Sequence, residues 1–125
     1  MDYLLVMIGG ALGAGLRHGV NTLAPRLLGT GFPYATLTVN IVGSLVMGLF
    51  VGWLAKQTGG VSTGLRLFFA TGVLGGFTTF SAFSLDVSVL WERGDTGLAL
   101  VYVLASVAIS ILALFAGLGL ARAVG

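Results

Sequence analysis

Uncharged stretches long enough to cross a lipid bilayer constrain this chain more than any other feature. Residues 97–121 run 25 positions without a charge, residues 33–55 run 23, and residues 67–85 run 19. The hydrocarbon core of a bilayer takes about 20 apolar residues per helix. A fourth stretch, residues 3–16, is shorter, and its span extends to about residue 24 past Arg17 and His18. Those two side chains therefore sit near an interface, snorkel, or face a watery cleft. Only 8% of the 125 residues are charged, against about 25% in a typical soluble domain. The sequence thus predicts one all-α domain of four transmembrane helices, at about 3–24, 33–55, 66–91 and 97–121.

Breaks between spans follow the same logic. Pro25 and Gly29-Thr30-Gly31 are expected to close the first span, and Pro33 suits the first turn of the second. A short polar loop is expected at 56–62, and a tight charged turn at 92–95. Asp2 stands where a secretory leader would carry basic residues, so no such leader is expected. Lys56, Arg66 and Arg122 would fall on one side of the membrane, with Arg17, Arg26 and Arg93 on the other. Three against three leaves the positive-inside rule little to act on. A chain without orientation bias inserts both ways, which permits an antiparallel, dual-topology homodimer. Four thin, glycine-rich helices also make a poor pore alone, so an oligomer is expected on packing grounds.

Most classes of chemistry are disfavoured by what the chain lacks. With no cysteine and one histidine, His18, it has neither a disulfide framework nor a multi-histidine metal centre. Asp2, Glu92 and Asp95 lie in a terminus or a turn, which leaves no paired carboxylates for acid–base work. No phosphate-binding loop, zinc-protease or nucleophile-elbow pattern occurs, so no enzymatic activity is expected. The net charge of +2 is too small and scattered to indicate a nucleic-acid partner.

The third span carries the main irregularity. Gly75-Gly76 weakens a helix by roughly 1 kcal/mol per glycine relative to alanine, and Thr78, Thr79, Ser81 and Ser84 follow with hydroxyls able to bond freed backbone groups. One reading is close helix packing through the glycines. The other is a helix broken near its middle, whose carbonyls meet a hard cation such as Na⁺. Phe80 and Phe83 are ordinary core or lipid-facing rings on spacing alone; alternatively their positive ring edges face an anion. Asn40 lies on a stripe with Thr36, Ser44 and Gly48, and either satisfies a neighbouring backbone or donates to an anion. Tyr102, Ser106 and Ser110 form a hydroxyl face on span four that is either interhelical glue or a polar track. Arg17, in register with Gly9, Gly13 and Asn21, is an interfacial snorkeler or a concentrator of anions at a vestibule. Asp86 fits anion transport only at a pore mouth or beside a cation.

Three motifs together resemble a known family. The run from Gly75-Gly76-Phe77-Thr78-Thr79-Phe80 through Ser81-Ala82-Phe83-Ser84 is similar to the signature of the Fluc fluoride channels, also called CrcB proteins. The resemblance extends to the run from Gly9 to Arg17 in span one and from Thr36 to Gly43 in span two, and motif order and chain length agree with it. It implies an antiparallel homodimer in a prokaryotic cell membrane with two fluoride pores. It also implies a central structural Na⁺ held by main-chain oxygens, here of Gly75 and Thr78. The implied pore residues are Phe80, Phe83, Ser81 and Asn40, with Tyr102 and Ser110 as the hydroxyl track and Arg17 at the vestibule. Ala82 departs from the motif's usual threonine, and Asp86 stands where glutamate is frequent.

The expected function is passive, fluoride-selective export that lowers cytoplasmic fluoride. A small multidrug-type antiparallel transporter is the alternative, but its chemistry needs a carboxylate in span one, and residues 3–24 contain none. A non-conducting membrane scaffold is a third reading; it requires that Asn40→Asp or Phe80→Ile leave ion flux unchanged.

Overall fold

The computed structural model describes residues 1–57 and 63–124, and these fold as an all-helical bundle. The elements are α1 (Asp2–Leu28), α2 (Tyr34–Ala55), α3 (Thr63–Arg66), a π-helix (Leu67–Leu74), α4 (Gly75–Phe77), α5 (Ser81–Glu92) and α6 (Thr96–Val124). The run Thr63–Glu92 forms one interrupted span, giving four spans long and apolar enough to cross a membrane. Beyond Gln57, the polar loop expected at 56–62 lies outside the described residues.

Helix boundaries differ from expectation at two places. Pro25 does not end α1, which continues to Leu28. A proline removes only the rung to the carbonyl four residues back, and here that residue, Asn21, is exposed. The stop comes at Gly29, whose φ of 86° a side chain would disfavour and whose N–H closes on the Pro25 carbonyl at 3.1 Å. The third span begins at Thr63 rather than near Arg66, and its first half is π-helical, a form that spacing did not announce.

Lipid offers no hydrophobic drive for helices to associate, so small residues that permit close approach decide the packing. At Gly13 of α1, an added Cβ would lie 2.0 Å from the Val73 carbonyl oxygen, so α1 and the interrupted span meet backbone to backbone. Gly48 of α2 meets Leu114 of α6 in the same way, with 2.1 Å left to the Leu114 oxygen. These two seams place α2 between the interrupted span and α6. A third contact, made of larger side chains, joins α5 to α6: Phe83, Leu90, Ala99 and Tyr102 are buried together, with Phe32 and Leu37 packed against them.

The ends of the helices are tied by charged side chains. Lys56 donates to the Ala121 carbonyl near the end of α6, where a cation complements the helix dipole. Arg93 pairs with Asp95 at 2.8 Å and donates to the Gly31 carbonyl at 3.1 Å, joining the α5–α6 turn to the α1–α2 connection. Outside these contacts the spans are apolar and open: Leu12, Leu16, Leu85, Leu104, Leu112 and Phe115 are all exposed on this single copy.

Candidate functional site

The interruption in span three falls later than the glycines. Gly75 has helical angles (φ −63°, ψ −36°), and α4 continues through Phe77. Thr78 is the residue that leaves the helix, with φ −83° and ψ 160°, and Ser81 restarts it. The glycine pair therefore serves packing more than breaking. A Cβ at Gly76 would lie 2.5 Å from the Gly10 carbonyl oxygen, so α1 presses directly on this turn. The close-packing reading applies to Gly76, while the broken-helix reading applies three residues further on.

A break inside a membrane must satisfy its freed backbone groups within the protein. The structure does so with side chains. The Thr79 N–H donates to Asn40 Oδ1 at 2.8 Å, and Asn40 Nδ2 donates back to the Thr79 carbonyl at 3.0 Å. Arg17 Nε donates to the Gly76 carbonyl at 3.2 Å. Thr78 Oγ1 donates to the Leu74 carbonyl at 3.0 Å, and Thr79 Oγ1 accepts from the Ala82 N–H at 3.1 Å, capping α5. Asn40 is therefore engaged by a neighbouring backbone, one of its two readings; its amide nitrogen still has a second hydrogen to offer. Arg17 is half-buried against the break rather than extended to an interface.

Beside the break lies a half-open cavity of about 400 Å³. Asn40 and Ser44 line it from α2, Thr78 to Phe80 from the break, Phe83 from α5, and Ser106 and Ser110 from α6. None of its lining residues is ionisable. The buried Ser106 and Ser110 Oγ atoms have no hydrogen-bond partner, although buried hydroxyls ordinarily find one. The Phe80 and Phe83 rings, 5.4 Å apart and inclined at 48°, form one wall. Phe83 is held by Tyr102, 5.1 Å away, whereas Phe80 is 76% exposed on this single copy.

Not every expected site residue comes to this cavity. Tyr102 is completely buried and donates to Asp86 Oδ2 at 3.0 Å, so its hydroxyl is committed elsewhere. Asp86 thus has a phenol for a partner rather than a cation, and it lines a second cavity of about 220 Å³ beside Phe32, Pro33 and Arg93. Ser81 is exposed with its Oγ 3.3 Å from Thr79 Oγ1, outside the first cavity's lining. Conversely, Ser44, Thr79 and Ser106 belong to the site and were not singled out for it. Ser44 and Ser106 lay on the polar stripes already visible in the sequence, whereas nothing local marks Thr79.

The residues at the break also suit a small hard cation. Among the described residues no three His, Cys, Asp or Glu side chains cluster, so a metal here would be held by carbonyl oxygens. Gly75 is exposed, and the N–H four residues beyond it is taken by Asn40. The N–H four residues beyond Thr78 is likewise taken, by Thr79 Oγ1. Both carbonyls are therefore released from the helical ladder, and oxygen donors of that kind fit Na⁺.

Comparison with known proteins agrees with this geometry. Residues 4–118 match the family described as CrcB-like protein, Camphor Resistance (CrcB). The chain is 60% identical over 124 residues to the fluoride-specific ion channel FluC of Rhodopseudomonas palustris (strain BisB5), covering 99% of both chains. It is 63% identical over 121 residues to a protein of the same name from Chelativorans sp. (strain BNC1), covering 97% of this chain and 96% of the relative. A third relative of that name, from Agrobacterium fabrum, is 53% identical over 122 residues, with 98% and 97% covered.

Proposed function

The chain belongs to the CrcB family, and from that premise we propose that it is a fluoride-selective ion channel of a bacterial plasma membrane. The observation that carries the mechanism is the pair of buried, unpartnered hydroxyls, Ser106 and Ser110, facing a cavity without ionisable groups. Fluoride is strongly hydrated, so a pore must replace its water with several donors at once and still let the ion leave. Hydroxyl hydrogens, the free Asn40 amide hydrogen and positive ring edges supply many weak contacts. A lysine or arginine in the wall would instead hold the anion, and a carboxylate would repel it. Passive flow through such a site lowers cytoplasmic fluoride whenever the gradient points outward. A small multidrug-type transporter needs a membrane-embedded carboxylate for proton coupling, and none lines this cavity.

Two further elements of the reading concern assembly. The half-open cavity and the exposed Phe80 ring are completed by a second copy of the chain, which charge balance permits to lie antiparallel. Gly75 and Thr78 offer their carbonyls at that junction, and a bound Na⁺ would supply the positive charge that holds carbonyl oxygens of the two copies together. Purified protein in liposomes tests the reading through a fluoride electrode with chloride as control. The expected result is fluoride efflux without chloride efflux. Folded protein that passes no fluoride, or passes chloride equally, overturns it.

A further inference from the structure

Helical carbonyls normally accept the N–H four residues ahead, so a carbonyl becomes available only when that N–H is drawn elsewhere. At the interruption this happens twice, each time through a side chain. The N–H opposite Gly75 is that of Thr79, and Asn40 Oδ1 takes it at 2.8 Å. The N–H opposite Thr78 is that of Ala82, and Thr79 Oγ1 takes it at 3.1 Å. Between them, the Gly76 carbonyl is occupied by Arg17 Nε at 3.2 Å.

We infer that Asn40 and Thr79 are positioning residues for the cation site, diverting two backbone N–H groups so that the Gly75 and Thr78 carbonyls stand free, while Arg17 occupies the Gly76 carbonyl between them. The inference rests on the cation reading given above and deepens it. It assigns Asn40 a task separate from donating to the anion: its carbonyl oxygen serves the backbone, and its amide nitrogen answers the Thr79 carbonyl at 3.0 Å, which locks the rotamer. One asparagine thereby links the pore wall to the cation site, and Thr79 carries the same link into α5. The arrangement also explains why an unremarkable threonine follows Thr78: a side chain without a hydroxyl would leave the Ala82 N–H free to close on the Thr78 carbonyl.

The test is a Na⁺ titration of thermal unfolding on the full-length, detergent-solubilised protein, with N-methylglucamine replacing Na⁺. Wild type is expected to gain stability with Na⁺. Partners that orient metal ligands are typically worth about 10–100-fold in metal affinity, so Thr79→Val should raise the half-stabilising Na⁺ concentration by about that factor. Thr79→Ser, which keeps the hydroxyl, should retain the wild-type midpoint. A Thr79→Val protein that folds only in high Na⁺ is the extreme of the same shift and supports the inference. Asn40→Ala, titrated alongside, should move the midpoint in the same direction. If the variants lose stability equally at every Na⁺ concentration with an unmoved midpoint, their role is structural and the inference fails alone. A wild type indifferent to Na⁺ removes the cation reading itself, and this inference with it.

Discussion

Gly13→Ala subjects the packing of α1 on the interrupted span to a single added methyl. The new Cβ would lie 2.0 Å from the Val73 carbonyl oxygen and 2.8 Å from the Phe77 nitrogen. Both are backbone atoms, so no side chain can rotate away. Ordinary carbon contacts optimise at about 3.5–4.0 Å, which requires the two segments to part by roughly 1.5 Å along that line. Overpacking of this kind costs typically about 1–3 kcal/mol. One helical turn further along α1, Arg17 Nε reaches the Gly76 carbonyl at 3.2 Å, already at the long end of the hydrogen-bond range. The same displacement breaks it, and a hydrogen bond to a charged group adds about 1.5–3 kcal/mol. The expected loss is therefore about 3–5 kcal/mol, with a pore whose break is no longer braced. Gly15→Ala is the internal control: it lies two residues away on the same helix, with no atom within 4 Å of the added Cβ. It should be neutral or gain up to about 1 kcal/mol in helix propensity. Thermal unfolding in detergent and fluoride efflux read both variants. Equal melting of Gly13→Ala, Gly15→Ala and wild type would refute the packing argument.

Other positions separate stability from transport. Ser106→Ala and Ser110→Ala remove buried hydroxyls that bond nothing in the protein, so melting should hold or rise slightly while fluoride efflux falls; a loss of stability with unchanged efflux would assign them to packing. Tyr102→Phe removes the hydroxyl that donates to Asp86 and should destabilise the protein by about 1.5–3 kcal/mol, the range for a bond to a charged group. Combined with Asp86→Asn, its effect should be clearly less than additive, and full additivity in a double-mutant melting cycle would mean the bond contributes nothing.

The chemistry of the cavity was legible because polar residues are scarce in this chain. Against long apolar runs, Asn40, Ser106, Ser110 and the threonines beside Phe80 stand out, and helical spacing puts most of them on inward faces. Tyr102 shows the limit of spacing. It shares a stripe with Ser106 and Ser110 and was expected on the same track, yet Asp86 on the facing helix captures its hydroxyl. Two residues in register on one helix still meet different partners, since the neighbouring helix sets what each one finds.

By itself the sequence determined four membrane-crossing helices, the small residues that let them touch, and an interruption within the third. Uncharged length and residue size suffice for these, being properties of the chain alone. Only the tertiary structure decided where the interruption falls. Gly75 and Gly76 have the weakest helix propensity in the stretch, yet they stay helical because α1 presses on Gly76 through Gly10. Thr78 departs instead because Asn40, 39 residues earlier in the chain, offers Thr79 both an acceptor and a donor. Where water is absent, a helix opens at the residue for which a neighbour supplies replacement hydrogen bonds, and that neighbour is fixed by the packing of α2 rather than by local propensity.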